Sequence, residues 1–244
     1  MFAYLPRIGA GANRPHRGLV GGLDMDNIVV VGSSGHAKVV IDIVRQGGKF
    51  NIVGLLDRFR NVGEQTLGCP ILGKEEDLPH LISAHAIKGA LVAIGDNFIR
   101  AQVAARIREL CPDLVFVSVL HPSASMAGDA TLGEGTVVMA GVVVNPCSSI
   151  GRFCILNTRC SLDHDSSMAD FASLAPGVTT GGNCRIGPYS AISIGAVLIH
   201  GINIGEHTVV GAGSIVMKSV DSHVLAYGTP AKVIRTRKPG DKYL

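Results

Sequence analysis

A chain of 244 residues with a formal net charge of +3 and only 17% charged residues carries too little positive charge to imply a nucleic-acid partner. No continuous apolar run comes near the ~18 residues that a membrane-spanning helix needs. Hydrophobic residues reach 47%, Gly numbers 31 and Trp is absent, a profile that suits tight turns around a small-residue core.

Six Cys at irregular spacing form no CxxC pair and no zinc pattern, so a reduced, cytoplasmic setting is expected. Residues 1–24 are rich in Gly, Arg and Pro and lack the apolar stretch of a signal peptide. Met25 then opens MDNIVVVG like a natural start, so 1–24 read as a disordered extension or an upstream start.

Strand and helix signals alternate over 25–120. Residues 28–31 are a continuous apolar run, as in a buried parallel strand. The loop Gly32-Ser33-Ser34-Gly35 leads into a helix over 36–46, with Val39, Val40 and Ile43 on one face. A second strand, 52–56, ends at Asp57. A third, 90–94, ends at Gly95, and Asp96 or Asn97 caps a helix over 98–110. A last strand is expected over 114–120. Together these make a small Rossmann-like α/β domain with a parallel sheet.

Residues 121–221 have a different texture. From Met126 the chain runs in units of six to residue 221. The first position is aliphatic or Met in fifteen of sixteen units, Thr180 being the exception. The second is commonly Gly, Asn or Asp, as in Gly133, Asn145 and Gly187, and is assigned the tight or positive-φ turn. The fifth is small or β-branched and points into a narrow interior, which makes Cys154, Cys160 and Cys184 core residues. Three units form a coil of 18 residues, and coils stack at about 4.8 Å. No coil buries its aliphatics alone, so stacking supplies the core. In the tail, 222–244, Arg235, Arg237, Lys238 and Lys242 read as a solvated terminus.

His164 is the third residue of its unit and belongs at a corner of this prism, ring outward. Asp163 or Asp165 can fix its tautomer and raise its basicity, as a general base requires. The pattern alone leaves an exposed corner His equally open. The amides of Gly32 to His36 open a helix and suit phosphate, and Asp57 suits a ribose or base; a plain βα turn accounts for the loop equally well. His200 lies two coils above His164, about 9.6 Å away by stacking, too far for both to hold one zinc within a protomer.

The segments GSSGHAKVV, AIGDN, NTRCSLDHD, the hexapeptide array and YGTPAKVI occur together and in order. Over residues 27 to about 235 this set resembles the NeuD/PglD-like sugar acyltransferases, a branch of the hexapeptide-repeat acyltransferases. The resemblance implies a left-handed parallel β-helix and a homotrimer, with sites between adjacent prisms and acetyl-CoA in the groove between subunits. His164 is then the base, Asp165 its support, and Asn157 lies near the acceptor sugar. Gly182 offers its N–H to the oxyanion. Gly32, Ser34, Gly35, His36, Asp57 and Asn97 belong to the nucleotide-sugar site, and Ser173, Gly182, Ile194 and Ala212 to the CoA site.

One departure stands out. Many members carry a second His nine residues after the base, where this chain has Ser173, which cannot carry positive charge. The implied activity is N-acetylation of the C4 amine of a nucleotide-linked 4-amino-4,6-dideoxy sugar for surface glycans, with no metal. A sugar O-acetyltransferase and a non-catalytic trimeric sugar-nucleotide binder are the alternatives.

Overall fold

The computed structural model describes residues 25–242, so the expectation for 1–24 lies outside the described residues. In chain order the first domain comprises β1 (Asp26–Val31), α1 (Gly35–Gly47), β2 (Phe50–Leu56), β3 (Gln65–Thr66), β4 (Cys69–Gly73), α2 (Leu78–His85), β5 (Gly89–Val92), α3 (Asn97–Leu110) and β6 (Val115–Phe116). The sheet order is β3-β4-β2-β1-β5-β6, parallel except for the β3–β4 pair. β1 pairs with β2 on one side and β5 on the other. The chain changes direction at β1, so a crevice opens at the carboxyl ends of β1 and β5.

α1 buries Ala37, Val40, Ile41, Ile43 and Val44, and Gly48 ends it in the left-handed conformation. Val39 is 41% exposed and lies off the face assigned to it, because the 3–4 spacing of Ala37, Val40, Ile41 and Val44 turns it outward. Asp96, not Asn97, caps α3, accepting the Ile99 N–H at 2.9 Å. β3, β4 and α2 were not read from the sequence. The expected strand over 114–120 is two pieces: Val115–Phe116 pairs with β5, and Val119–Leu120 pairs with Val137–Val138. The prism therefore starts one rung before the repeat becomes legible.

From there the chain winds as a three-sided parallel β-helix of two-residue strands stacked on partners 18 residues away, as in Val137↔Ile155 and Ser149↔Ser167. First-position aliphatics and fifth-position small residues fill the interior. Leu156, Leu174, Cys154, Cys184 and Ala196 are all 0% exposed. Burial pushes the Cys154 and Cys160 thiols up to about 12, which leaves them inert.

The turn chemistry differs from the expectation. Positive φ falls on the fourth position, as at Phe153, Arg159, Asp165 and Asn183. The second position is small for another reason: the next coil passes against it. A Cβ on Gly133 would stand 2.6 Å from the Arg152 nitrogen, and one on Gly187 2.7 Å from the Glu206 nitrogen.

The tail is also more than a solvated end. Val224–Gly228 pairs in parallel with Val209–Val210 and in antiparallel with Ala231–Thr236, extending one face to eight strands.

α3 docks on one corner of the prism. Fourth-position rings stack up that corner, Phe153 on Phe171 at 5.0 Å, Phe171 on Tyr189 at 5.2 Å and Tyr189 on His207 at 4.5 Å, and His223, just past the last unit, continues the stack at 5.2 Å. Arg100 of α3, 1% exposed, donates to the carbonyls of Phe153 (2.8 Å) and Phe171 (3.1 Å) in the prism. It also donates to those of Ile94 (2.9 Å) and Gly95 (3.0 Å) in its own domain. One guanidinium thus ties the loop after β5 to the β-helix.

Candidate active site

His164 stands at the corner between strands Ser161–Leu162 and Ser167–Met168. The left-handed backbone of Asp165 (φ 58°) brings its carboxylate back to the ring, 2.7 Å from Nδ1. That fixes Nδ1–H toward Asp165 and leaves Nε2 as the basic nitrogen. The same hydrogen bond holds the imidazole above its ordinary value. Asp163 does not touch the ring. Its Oδ1 accepts the Asn145 amide at 2.5 Å and the His164 backbone N–H at 2.8 Å, so it braces the turn.

Gly182, one coil above, is buried beneath the ring; a Cβ there would lie 2.5 Å from His164 Nε2. The amides on either side are engaged, Gly181 with the Leu198 carbonyl and Asn183 with the His164 carbonyl. The Gly182 N–H meets no acceptor among the described residues. A basic nitrogen above an uncommitted amide is a geometry for taking a proton and holding a nearby negative oxygen.

The crevice at the β1–β5 switch point opens into a cavity of about 560 Å³ lined by Gly32, Ser34, Asp57, Phe59, Gly95 and Arg106 among others. Gly32 is required here: its φ is 104°, and a Cβ would stand 2.8 Å from the Ala93 carbonyl oxygen. Asp57 accepts from Ser33 Oγ (2.5 Å) and from the Phe59 N–H (2.8 Å), which shapes the rim. Gly35 is exposed and lines neither this cavity nor the next.

Two residues expected in the nucleotide-sugar site, Asn97 and His36, do not line this crevice. Asn97 is 1% exposed. Its amide donates to Ser173 Oγ and to the Ser190 carbonyl, each at 3.1 Å, and its Oδ1 accepts from Arg100 at 2.7 Å. It is a strut between domains, because α3 turns it toward the prism instead of the crevice. His36 faces a second cavity of about 630 Å³ along the prism, lined also by Asn157, Ser173, Ile194 and Ala212. Gly95 lines both cavities.

Burial, with a smaller push from the Arg100 charge, lowers His36 to about 4, and its Nε2 has no hydrogen-bond partner among the described residues. His36 is therefore neutral in the fold, while the unfolded chain takes up a proton below about pH 6.5. Its contribution is whole above that value and is lost as the pH falls from about 6.5 to about 4, some 3 kcal/mol in all. In urea titrations at a fixed protein concentration, His36→Gln should lose about 2 kcal/mol less than the parent between about pH 7.5 and 4.5. Equal losses would contradict this.

Three of the four residues expected at CoA share this groove, Ser173, Ile194 and Ala212; Gly182 sits with His164 on another corner. Arg235, Arg237 and Lys242, read from sequence as solvated, form part of the groove wall. Asn157 belongs to the corner between Ile155–Leu156 and Ser161–Leu162. One protomer therefore shows Asn157 and His164 on successive corners, a full prism side apart. His200 is closer to His164 than stacking alone predicts, with ring centroids 6.3 Å apart, because Gly182 puts nothing between them. Among the described residues no group of three or more His, Cys, Asp or Glu is placed to hold a metal ion.

Residues 27–107 match the PglD N-terminal domain family. A histidine-to-alanine variant of GDP-perosamine N-acetyl transferase from Caulobacter crescentus, solved with CoA and GDP-perosamine, superposes with a TM-score of 0.81 at 34% identity. The match covers 86% of this chain and 97% of that one. The chain belongs to the PglD-like sugar acyltransferases. The prism is accordingly the left-handed parallel β-helix of this family. The acetyltransferase domain of PglB from Neisseria gonorrhoeae, solved with acetyl coenzyme A, gives a TM-score of 0.78 at 30% identity, over 86% of this chain and all of that one (100%). The UDP-N-acetylbacillosamine N-acetyltransferase of Bacillus subtilis is 33% identical over 120 residues, 48% of this chain and 52% of that protein. The match thus spans about half the length of this curated relative.

Proposed function

We propose that the protein transfers the acetyl group of acetyl-CoA to the C4 amine of a nucleotide-linked 4-amino-4,6-dideoxy sugar. The observation that carries this is His164, oriented by Asp165 at 2.7 Å, above a Gly182 amide without an acceptor. The crevice behind Gly32, Ser34 and Asp57 takes the nucleotide, and the groove along Ser173, Ile194 and Ala212 takes CoA. Arg235, Arg237 and Lys242 give that groove a positive wall for the phosphates of CoA. The crystallised relatives with CoA, GDP-perosamine or acetyl coenzyme A support this division.

His164 Nε2 removes the amine proton as nitrogen attacks the thioester carbonyl, and the Gly182 N–H holds the oxyanion. Attack is direct: Cys154, Cys160 and Cys184 are buried in the interior, and the exposed Cys147, one coil below Asp165, is held above its ordinary value by its hydrogen bond to Asp129 and stays a thiol. The prism side between Asn157 and His164 supports a homotrimer in which adjacent protomers complete each site. Both proposed substrates belong to the cytoplasm, where we place the protein and its part in glycan assembly.

Gly182→Ala separates fold from chemistry. The added methyl collides with the end of an exposed side chain, so the melting temperature should change little. The ring must swing off its position, and kcat should fall by about 10²-fold or more. Turnover near that of the parent would contradict the placement of His164 over Gly182.

Thiol release from acetyl-CoA against UDP-, dTDP- and GDP-linked 4-amino sugars, CMP-sialic acid and free sialic acid tests the proposal. Turnover on an amino sugar supports it. Turnover on sialic acids alone would reassign the protein to O-acetylation, and silence with no CoA binding by calorimetry would make it a binder.

A further inference from the structure

His200 has no part in the chemistry above. It occupies the third position of its hexapeptide, as do His164 and Gly182, and the pairings Ser161↔Thr179 and Thr179↔Val197 hold the three rungs in line. Straight stacking would set the outer two corner positions about 9.6 Å apart. The ring centroids are instead 6.3 Å apart at 46°, so the rings lean together across the bare glycine. The charged groups around His200 are few. His164 and Asp163 lie on the coils below, Asp165 lies on the far side of His164, and Lys218 holds the same position one coil above.

When an amine attacks a thioester, the oxyanion forms within a few ångströms of the nitrogen whose proton is leaving. With that proton going to His164 Nε2, the oxygen is within reach of an imidazole leaning over the same corner. Resting on the reading of His164 as base, we propose that His200 donates its imidazole N–H to the thioester oxygen as it becomes an oxyanion, beside the Gly182 amide. The C–N bond forms, the carbonyl π pair moves to oxygen, and the amine proton passes to His164. On collapse the C–S bond breaks with its pair on sulfur, and the proton on His164 passes to the thiolate.

The test compares His200→Ala, His200→Gln and His164→Ala in the full-length protein, with oligomeric state and melting temperature checked. His200→Ala should lower kcat by about 10²-fold, with KM for both substrates within about threefold of the parent. His200→Gln, which keeps an N–H donor, should regain about tenfold of that loss. If His200→Ala stays within about twofold of the parent beside an inactive His164→Ala, or Gln is no better than Ala, the His200 role is overturned alone. Parent-like turnover by both His200→Ala and His164→Ala would overturn the base reading and this proposal with it.

Discussion

His164→Ala should lower kcat by about 10²- to 10⁴-fold while leaving the fold, the oligomer and the affinity for CoA unchanged. The side chain is half exposed, hydrogen-bonded to Asp165 and beside the exposed His200 ring, so nothing in the core depends on it. What is lost is the one basic nitrogen aimed over Gly182. Asp165→Asn should act on the same group with a different signature. Protonated His164 cannot take the amine proton, so the rate rises with pH as His164 loses its proton. The Asp165 hydrogen bond raises that transition. Removing the charge should therefore move the acid limb of the kcat profile to lower pH, with a lower plateau from a weaker base. An acid limb that stays in place in Asp165→Asn, or moves up, would contradict the assignment.

Arg100→Met should be the most destabilising of the substitutions considered. Met keeps the length of the side chain and removes every donor. The carbonyls of Phe153, Phe171, Ile94 and Gly95 and the Asn97 oxygen each lose a hydrogen bond at a position that is 1% exposed. Unpaired buried acceptors put the cost at about 3–5 kcal/mol in all. For a chain of this size that lowers the melting temperature by roughly 10 °C. The residues released include the loop that borders both cavities, so KM for the nucleotide sugar should rise at temperatures where the variant is still folded. A melting temperature within about 2 °C of the parent would show that packing, not this staple, joins the domains.

The prism was legible because a period of six survives any neighbour: each aliphatic and each small fifth residue answers only to the coil above and below. His164 was legible for the same reason, since its position in the unit puts it at a corner whatever lies beside it. The features that escaped depend on contacts between distant segments. Asn97 reads as a helix cap in the sequence and becomes a strut only because α3 lies against Ser173 and Ser190. His36 reads as part of a phosphate loop, yet as the second residue of α1 it faces the groove. The stacked rings from Phe153 to His207 sit at the fourth position, which the period marks only as variable, and His223 follows past the last unit. Their positive φ lets them project along the corner, and composition cannot report that. The basic tail looked solvated because nothing in its spacing announces the hairpin of Val224–Gly228 with Ala231–Thr236 that folds it against the groove.

The central claim is that acetyl passes from CoA to nitrogen on a nucleotide-linked amino sugar. The most direct measurement is the mass of the product formed from acetyl-CoA and a GDP- or UDP-linked 4-amino-4,6-dideoxy sugar, read before and after hydroxylamine, which removes O-acetyl esters and spares amides. The account predicts one added acetyl group that survives hydroxylamine and does not form with His164→Ala. An acetyl group lost to hydroxylamine, or no acetylated product from any nucleotide-linked amino sugar, would contradict it.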